Sequence, residues 1–156
     1  MILRLNHLLI LTAITVLYAC DQFQPGPTVE TRTGADVKRV YDHELISHGA
    51  EVFRANCAVC HGDNAEGDAN WRKSGPDGKY PPPPLNGTAH EWHHSIPVLR
   101  EIIKNGTPPE EGNMPAWGQK LTDQEIDAVI AWFQSLWPDQ IYAAWNEMQE
   151  RARGEP

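Results

Sequence analysis

The stretch AEVFRANCAVCHG, residues 50–62, holds two of the chain's three cysteines, Cys57 and Cys60, with His61 directly after the second. Four chemistries can use such a stretch. A structural zinc site needs about four protein ligands, yet there is no second cysteine pair, and the other histidines fall in no finger spacing. A thioredoxin-like couple needs a preceding strand in a βαβ setting, and no strand pattern flanks Cys57. A plain disulfide uses both thiols and leaves His61 without a role. Covalent haem attachment uses all three residues. Two thiols about one helical turn apart reach one edge of a porphyrin, and the next residue lies under the iron. On this stretch alone the last reading explains most, and the others stay open.

Working outward, residues 42–58 read as a helix, with Leu45, Gly49, Val52, Phe53 and Cys57 near one face. Gly49 sits inside it, where glycine costs about 1 kcal/mol relative to alanine, so a close helix–helix approach is the expected use. Residues 62–89 read as one long loop, unusual in a small domain unless something other than secondary structure fills the interior. A short helix is expected over 96–104, ended by Asn105-Gly106. Thr122-Asp123-Gln124-Glu125 is a capping box. It opens a helix with Ile126, Val129, Ile130, Phe133 and Trp137 on its apolar stripe, closed by Pro138. A last helix is expected over 140–153. No strand pattern is evident, and the fold class is all-α.

The chain has 156 residues, enough for one domain with appendages. Residues 1–20 have the form of an export signal, with Arg4 before an apolar run from Leu8 to Leu17. Leu17-Tyr18-Ala19-Cys20 resembles the bacterial lipobox, which implies that Cys20 is lipidated and becomes the mature N-terminus. That implies attachment to a membrane on the periplasmic side of a bacterial envelope, the inner membrane being favoured by Asp21. Residues 21–41, with Pro25, Gly26 and Pro27, read as a flexible tether, 42–137 as the domain, and 138–156 as a helical extension. Without residues 1–20, 12 basic side chains face 21 acidic ones, a formal charge of −9. Such a chain is a poor nucleic-acid binder and is steered toward partners with basic docking surfaces.

From about Glu44 to Leu136 the chain resembles a class I monohaem cytochrome c, through several motifs in order. Gly49, Phe53 and Cys57 resemble that family's first helix leading into the haem motif. Pro83-Pro84-Leu85-Asn86-Gly87 resembles its Pro-x-Leu-x-Gly turn, Asn113-Met114-Pro115-Ala116-Trp117 its methionine loop, and Val129-Ile130-Ala131-Trp132-Phe133 its last helix. The resemblance implies three to five helices around one covalent haem c, with an extra C-terminal helix. It implies thioether links from Cys57 and Cys60, iron ligation by His61 and Met114, and a Pro83 carbonyl that orients His61. It also implies that Trp132 meets Gly49 and Phe53, and that Trp117 borders the haem.

Among the remaining residues, His90, His93 and His94 read as a polar loop edging the cofactor, with one of them or Trp92 donating to a propionate. Trp71 and Arg72 are candidate covers for the same group, because a buried carboxylate needs a partner. His43 and His48 read as solvated, and Met148 as a surface or packing residue. The function expected is one-electron transfer between respiratory-chain partners, without enzymatic turnover. A haem subunit of a larger oxidase or dehydrogenase, a gas- or peroxide-binding haem protein, and a copper-handling lipoprotein are the alternatives.

Overall fold

The structure, a computed structural model, describes residues 28–30 and 36–154. The signal, Cys20 and most of the expected tether lie outside these residues. Helix α1 spans His43–Asn56, and the Asp42 carboxylate caps it by accepting the Leu45 N–H at 2.9 Å. It ends two residues before the expected boundary. The N–H groups of Cys60 and His61 both turn back onto the Cys57 carbonyl, opening the one-turn helix α2, Ala58–His61. After the long loop and a 3₁₀ turn at Glu91–His93 come α3, Ile96–Asn105, α4, Asp123–Ser135, and α5, Asp139–Gly154. The Thr122/Glu125 capping box forms in full, and all five residues of the expected apolar stripe are buried.

The centre of the fold is the crossing of α1 and α4. A methyl group at Gly49 would overlap the Ala128 carbonyl and come within 2.9 Å of the Trp132 Cβ. Only a residue without a side chain lets the two backbones meet there. One turn further along α1, Phe53 lies with its ring centroid 4.2 Å from that of Trp132, as the resemblance implies. Phe53, Ile126, Ile130 and Phe133 are almost wholly buried at this junction. Helix α3 packs on α4 through Leu99 and Ile103, and outside that contact Arg100 grips Asp127 with two hydrogen bonds.

Helix α5 returns onto the domain. Trp145 is buried, and its indole N–H donates to the His94 carbonyl at 3.0 Å.

The expectation of no strands is corrected at the N-terminal side. Residues Thr28–Glu30 (β1) and Asp36–Lys38 (β2) form an antiparallel ribbon, with Thr28 opposite Lys38 and Glu30 opposite Asp36. Val37 is buried against Ala143 of α5. Arg39, 2 % exposed, donates to the carbonyls of Gln134 and Trp137 and pairs with Asp139 at 2.9 Å. The guanidinium thus adds a second donor to the Gln134 carbonyl in the last turn of α4 and serves the Trp137 carbonyl just beyond it. The segment read as tether is docked from Val37 onward, because its partners lie some hundred positions away, beyond any local pattern. Three-residue strands leave the all-α class unchanged.

Gly49→Ala should lower unfolding stability by about 3 kcal/mol through overpacking at the crossing. The shift in the denaturant midpoint of the purified protein measures it. An unchanged midpoint would mean that the helices do not meet at this residue.

Candidate cofactor site

Helices α1, α3 and α4 and the loops between them enclose a cavity of about 1100 Å³. Ordinary ligand pockets run to roughly 300–1,000 Å³, so this one suits a large, flat, apolar group. Cys57, Cys60 and His61 line it from the α1–α2 junction, and Met114 lines it from the loop after α3. Both cysteines are free thiols, Cys57 half-buried and Cys60 exposed. Burial, and next the neighbouring Cys60, push the Cys57 thiol up to about 11, with Lys120 opposing. Val59 between them is 89 % exposed, so this edge of the cavity faces solvent.

His61 is buried, and its Nδ1 lies 2.9 Å from the Pro83 carbonyl oxygen. A carbonyl only accepts, so Nδ1 carries the proton and the lone pair is left on Nε2. Burial lowers the imidazole pKa, and the Pro83 bond partly offsets it. A neutral ring with a fixed tautomer is the form that ligates metal.

The Pro83 carbonyl is itself held in place. The run Pro81–Pro84 has restricted φ and no N–H donors, and its neighbours tie it down. The Leu85 N–H donates to Ala65, the Asp68 N–H to Pro82 and the Gly67 N–H to His61, each at 2.8 Å. Gly67 has φ +61°, and a methyl there would collide with the Pro83–Pro84 peptide. Beyond Pro84, the Trp137 indole N–H donates to the Leu85 carbonyl at 3.0 Å.

The methionine loop folds back on the end of α3. Thr107 exchanges two hydrogen bonds with Met114, N–H to carbonyl at 3.1 Å and hydroxyl from amide at 3.2 Å. The amides of Trp117 and Gly118 donate to the Ile103 and Lys104 carbonyls, which the helix end leaves free. Trp117 lines the cavity.

Trp92 does not. Its indole N–H is committed to the Ala89 carbonyl at 3.0 Å and its ring lies against His93, because the 3₁₀ turn rotates both away from the cavity. His90 and His94 face the cavity instead, together with Trp71 and Arg72. Trp71 stacks on His90 with centroids 5.2 Å apart, and the Arg72 guanidinium lies 4.2 Å from the Trp71 centroid. Burial, then His94, His93 and Arg72, lower the His90 pKa. Among the described residues no three His, Cys, Asp or Glu side chains converge as a separate metal site. His43 and His48 are exposed. Among the lining residues that the sequence reading passed over is Glu91, which stands among the histidines of the same turn and is buried.

The donors match covalent haem. Two thiols and a neutral imidazole stand on one wall, a thioether lines the same cavity, and an Arg/His/Trp cluster at the rim suits carboxylates. Residues 44–133 match the family model described as cytochrome C oxidase, cbb3-type, subunit III. The cbb3-type cytochrome c oxidase subunit CcoP of Azospirillum sp. (strain B510) is 33 % identical over 95 residues, covering 61 % of this chain and 30 % of that protein. The cytochrome c6 of Bryopsis maxima is 35 % identical over 86 residues, covering 54 % of this chain and 83 % of that protein. The crystal structure of cytochrome CL from Methylophaga aminisulfidivorans aligns over 74 % of this chain and 69 % of that one, at 25 % identity and a TM-score of 0.49. The chain spans less than a third of the length of the oxidase subunits that it matches.

Gly67→Ala should displace the Pro83 carbonyl and free the His61 ring. The His61 Nδ1 proton is then expected to exchange with solvent faster in the reduced variant than in wild type, because its acceptor is lost. Proton NMR reads this directly, and unchanged exchange would show that Gly67 does not hold the carbonyl.

Proposed function

The chain belongs to the cytochrome c family described as cytochrome c oxidase, cbb3-type, subunit III, and carries covalent haem c; from that premise we propose that it is a one-electron carrier whose iron is ligated by His61 and Met114. The observation that supports this most is the cavity itself, with His61 held at Nδ1 by Pro83 and with Met114 lining it from a loop pinned to α3. Cys57 and Cys60 provide the thioether links. Haem c supplies a reversible one-electron couple when bound. The protein keeps His61 neutral and oriented, presents a soft thioether that favours the ferrous state, and surrounds both with apolar side chains. Together these hold the potential high relative to two imidazole ligands. With His61 and Met114 both committed to the iron, no ligand position would be left for a substrate, and the chain would act as a carrier. Arg72, His90 and His94 take the propionates.

Residues 1–20 act as a lipoprotein-type signal, and Cys20 anchors the chain to a membrane on the periplasmic side. No helix among the described residues is long and apolar enough to cross one. A second reading, a haem subunit of a larger oxidase, is supported by the family's description. Co-migration with an oxidase in native gels of solubilised membranes would favour it.

Met114→Ala should lower the midpoint potential, remove the sulfur-to-iron charge-transfer band of the ferric form, and admit carbon monoxide to the ferrous form. Met148→Ala should do none of these, and the covalent haem should survive both changes. An unchanged ferric spectrum in Met114→Ala would assign the distal ligand elsewhere.

The acidic charge implies electrostatic docking to a basic partner. The association rate is expected to fall as salt rises and the Debye length shrinks to about 8 Å at physiological ionic strength. Stopped-flow reduction at varied salt tests this, and a flat or rising rate would point to apolar docking.

A further inference from the structure

Glu91 is a group that the carrier reading leaves unused. It is 4 % exposed and lines the cofactor cavity. Its Oε1 accepts the Gly87 N–H at 2.6 Å, while Oε2 is buried without a hydrogen-bond partner. A carboxylate in that state is strongly disfavoured. Burial pushes the Glu91 carboxyl above the usual carboxylate range, with backbone N–H groups of its turn opposing.

The elements packed around it bring no counter-charge bonded to Glu91. Its own turn carries His90, His93 and His94, of which His90 and His93 are exposed. Arg72 reaches this turn through the Trp71–His90 stack. From the α4–α5 junction, Trp137 and Pro138 pack against Gly87, and Asp139 beyond them is committed to Arg39. From α5, Trp145 reaches the His94 carbonyl; of its neighbours at helical spacing, Ile141 and Met148 do not titrate, and Tyr142 lies against it with a hydroxyl that burial pushes above its ordinary value.

We propose that Glu91 is a redox-linked proton site, taking up one proton as an electron enters the cavity and releasing it as the electron leaves. The proposal rests on haem occupying this cavity. The electron comes from the redox donor and the proton from solvent, past the exposed His90. The O–H bond of the Glu91 carboxyl is the one bond made on reduction and broken on oxidation, so the site's net charge stays constant through the cycle. The physical reason is the low dielectric of the wall, where one unit of charge at the centre is felt far more strongly than in water. The carboxyl holds its proton more tightly when the centre is reduced. The potential must then fall as pH rises between the oxidised-state and reduced-state pKa values of Glu91, and level off outside them.

The test is the midpoint potential of the purified holoprotein, by visible spectroelectrochemistry from about pH 4 to about pH 9, in wild type and Glu91→Gln. Wild type should show a segment with a tenfold change in the redox equilibrium per pH unit, about 59 mV for one electron. Glu91→Gln should be flat over that segment, near the acid limit of wild type, since the amide mimics the protonated acid. Redox-difference infrared spectra of wild type should show a protonated-carboxyl band gained on reduction and shifted in heavy water. That measurement decides the matter if the variant does not accumulate. A pH-independent wild-type potential, the same slope in Glu91→Gln, or no carboxyl band would overturn the proposal. A protein without any c-type spectrum would overturn the carrier reading and this one together.

Discussion

The contact on which the fold depends is the crossing of α1 and α4 at Gly49, where helix backbone meets helix backbone. It brings Phe53 against Trp132 and fixes the direction in which α1 delivers Cys57. One turn later the chain has changed course, and α2 carries Cys60 and His61 along the cavity wall. A side chain at Gly49 would separate the two helices and move that wall. The space they leave is too large for four or five short helices to fill, and a bulky prosthetic group completes the core where a larger protein would place more chain.

Around this frame the loops work through backbone hydrogen bonds, and each anchor leads to one atom. Ala65 and Asp68 hold the proline run, the proline run presents the Pro83 carbonyl, and that carbonyl fixes the tautomer of His61. On the other side, the free carbonyls at the end of α3 receive the loop that carries Met114. Twenty-eight residues of loop between Gly62 and Ala89 are thus ordered without regular structure, because nearly every bend ends on a backbone partner. The loop length that looks anomalous in the sequence follows from the shape of what the loop surrounds.

The C-terminal helix and the N-terminal strap form a second layer behind this site. Arg39 ties β2 to the end of α4 and the start of α5, Trp137 reaches the Leu85 carbonyl, and Trp145 reaches the His94 carbonyl. The proximal loop and the histidine turn are therefore braced by residues outside the minimal cytochrome pattern. This brace keeps Glu91 in the wall, since the same turn packs on Trp137 and Pro138 through Gly87.

The sequence by itself determined what depends on near neighbours. The Cys57–His61 spacing, the glycine in α1, the Thr122 capping box and the stripe of α4 are each legible within a few positions, because helical period and cap chemistry are local. The carbonyl that holds His61 was legible through resemblance alone. What only the tertiary structure decided involves partners far apart in the chain. The apparent tether docks because Arg39 finds carbonyls some hundred residues away. Trp92 faces away from the cavity and His90 and His94 face it, because a single 3₁₀ turn sets their rotation. Nothing in the sequence singles out Glu91, and its burial comes from α5 and the α4–α5 junction closing over its turn. Burial is a property of the assembled fold, and with it comes the unpartnered carboxyl.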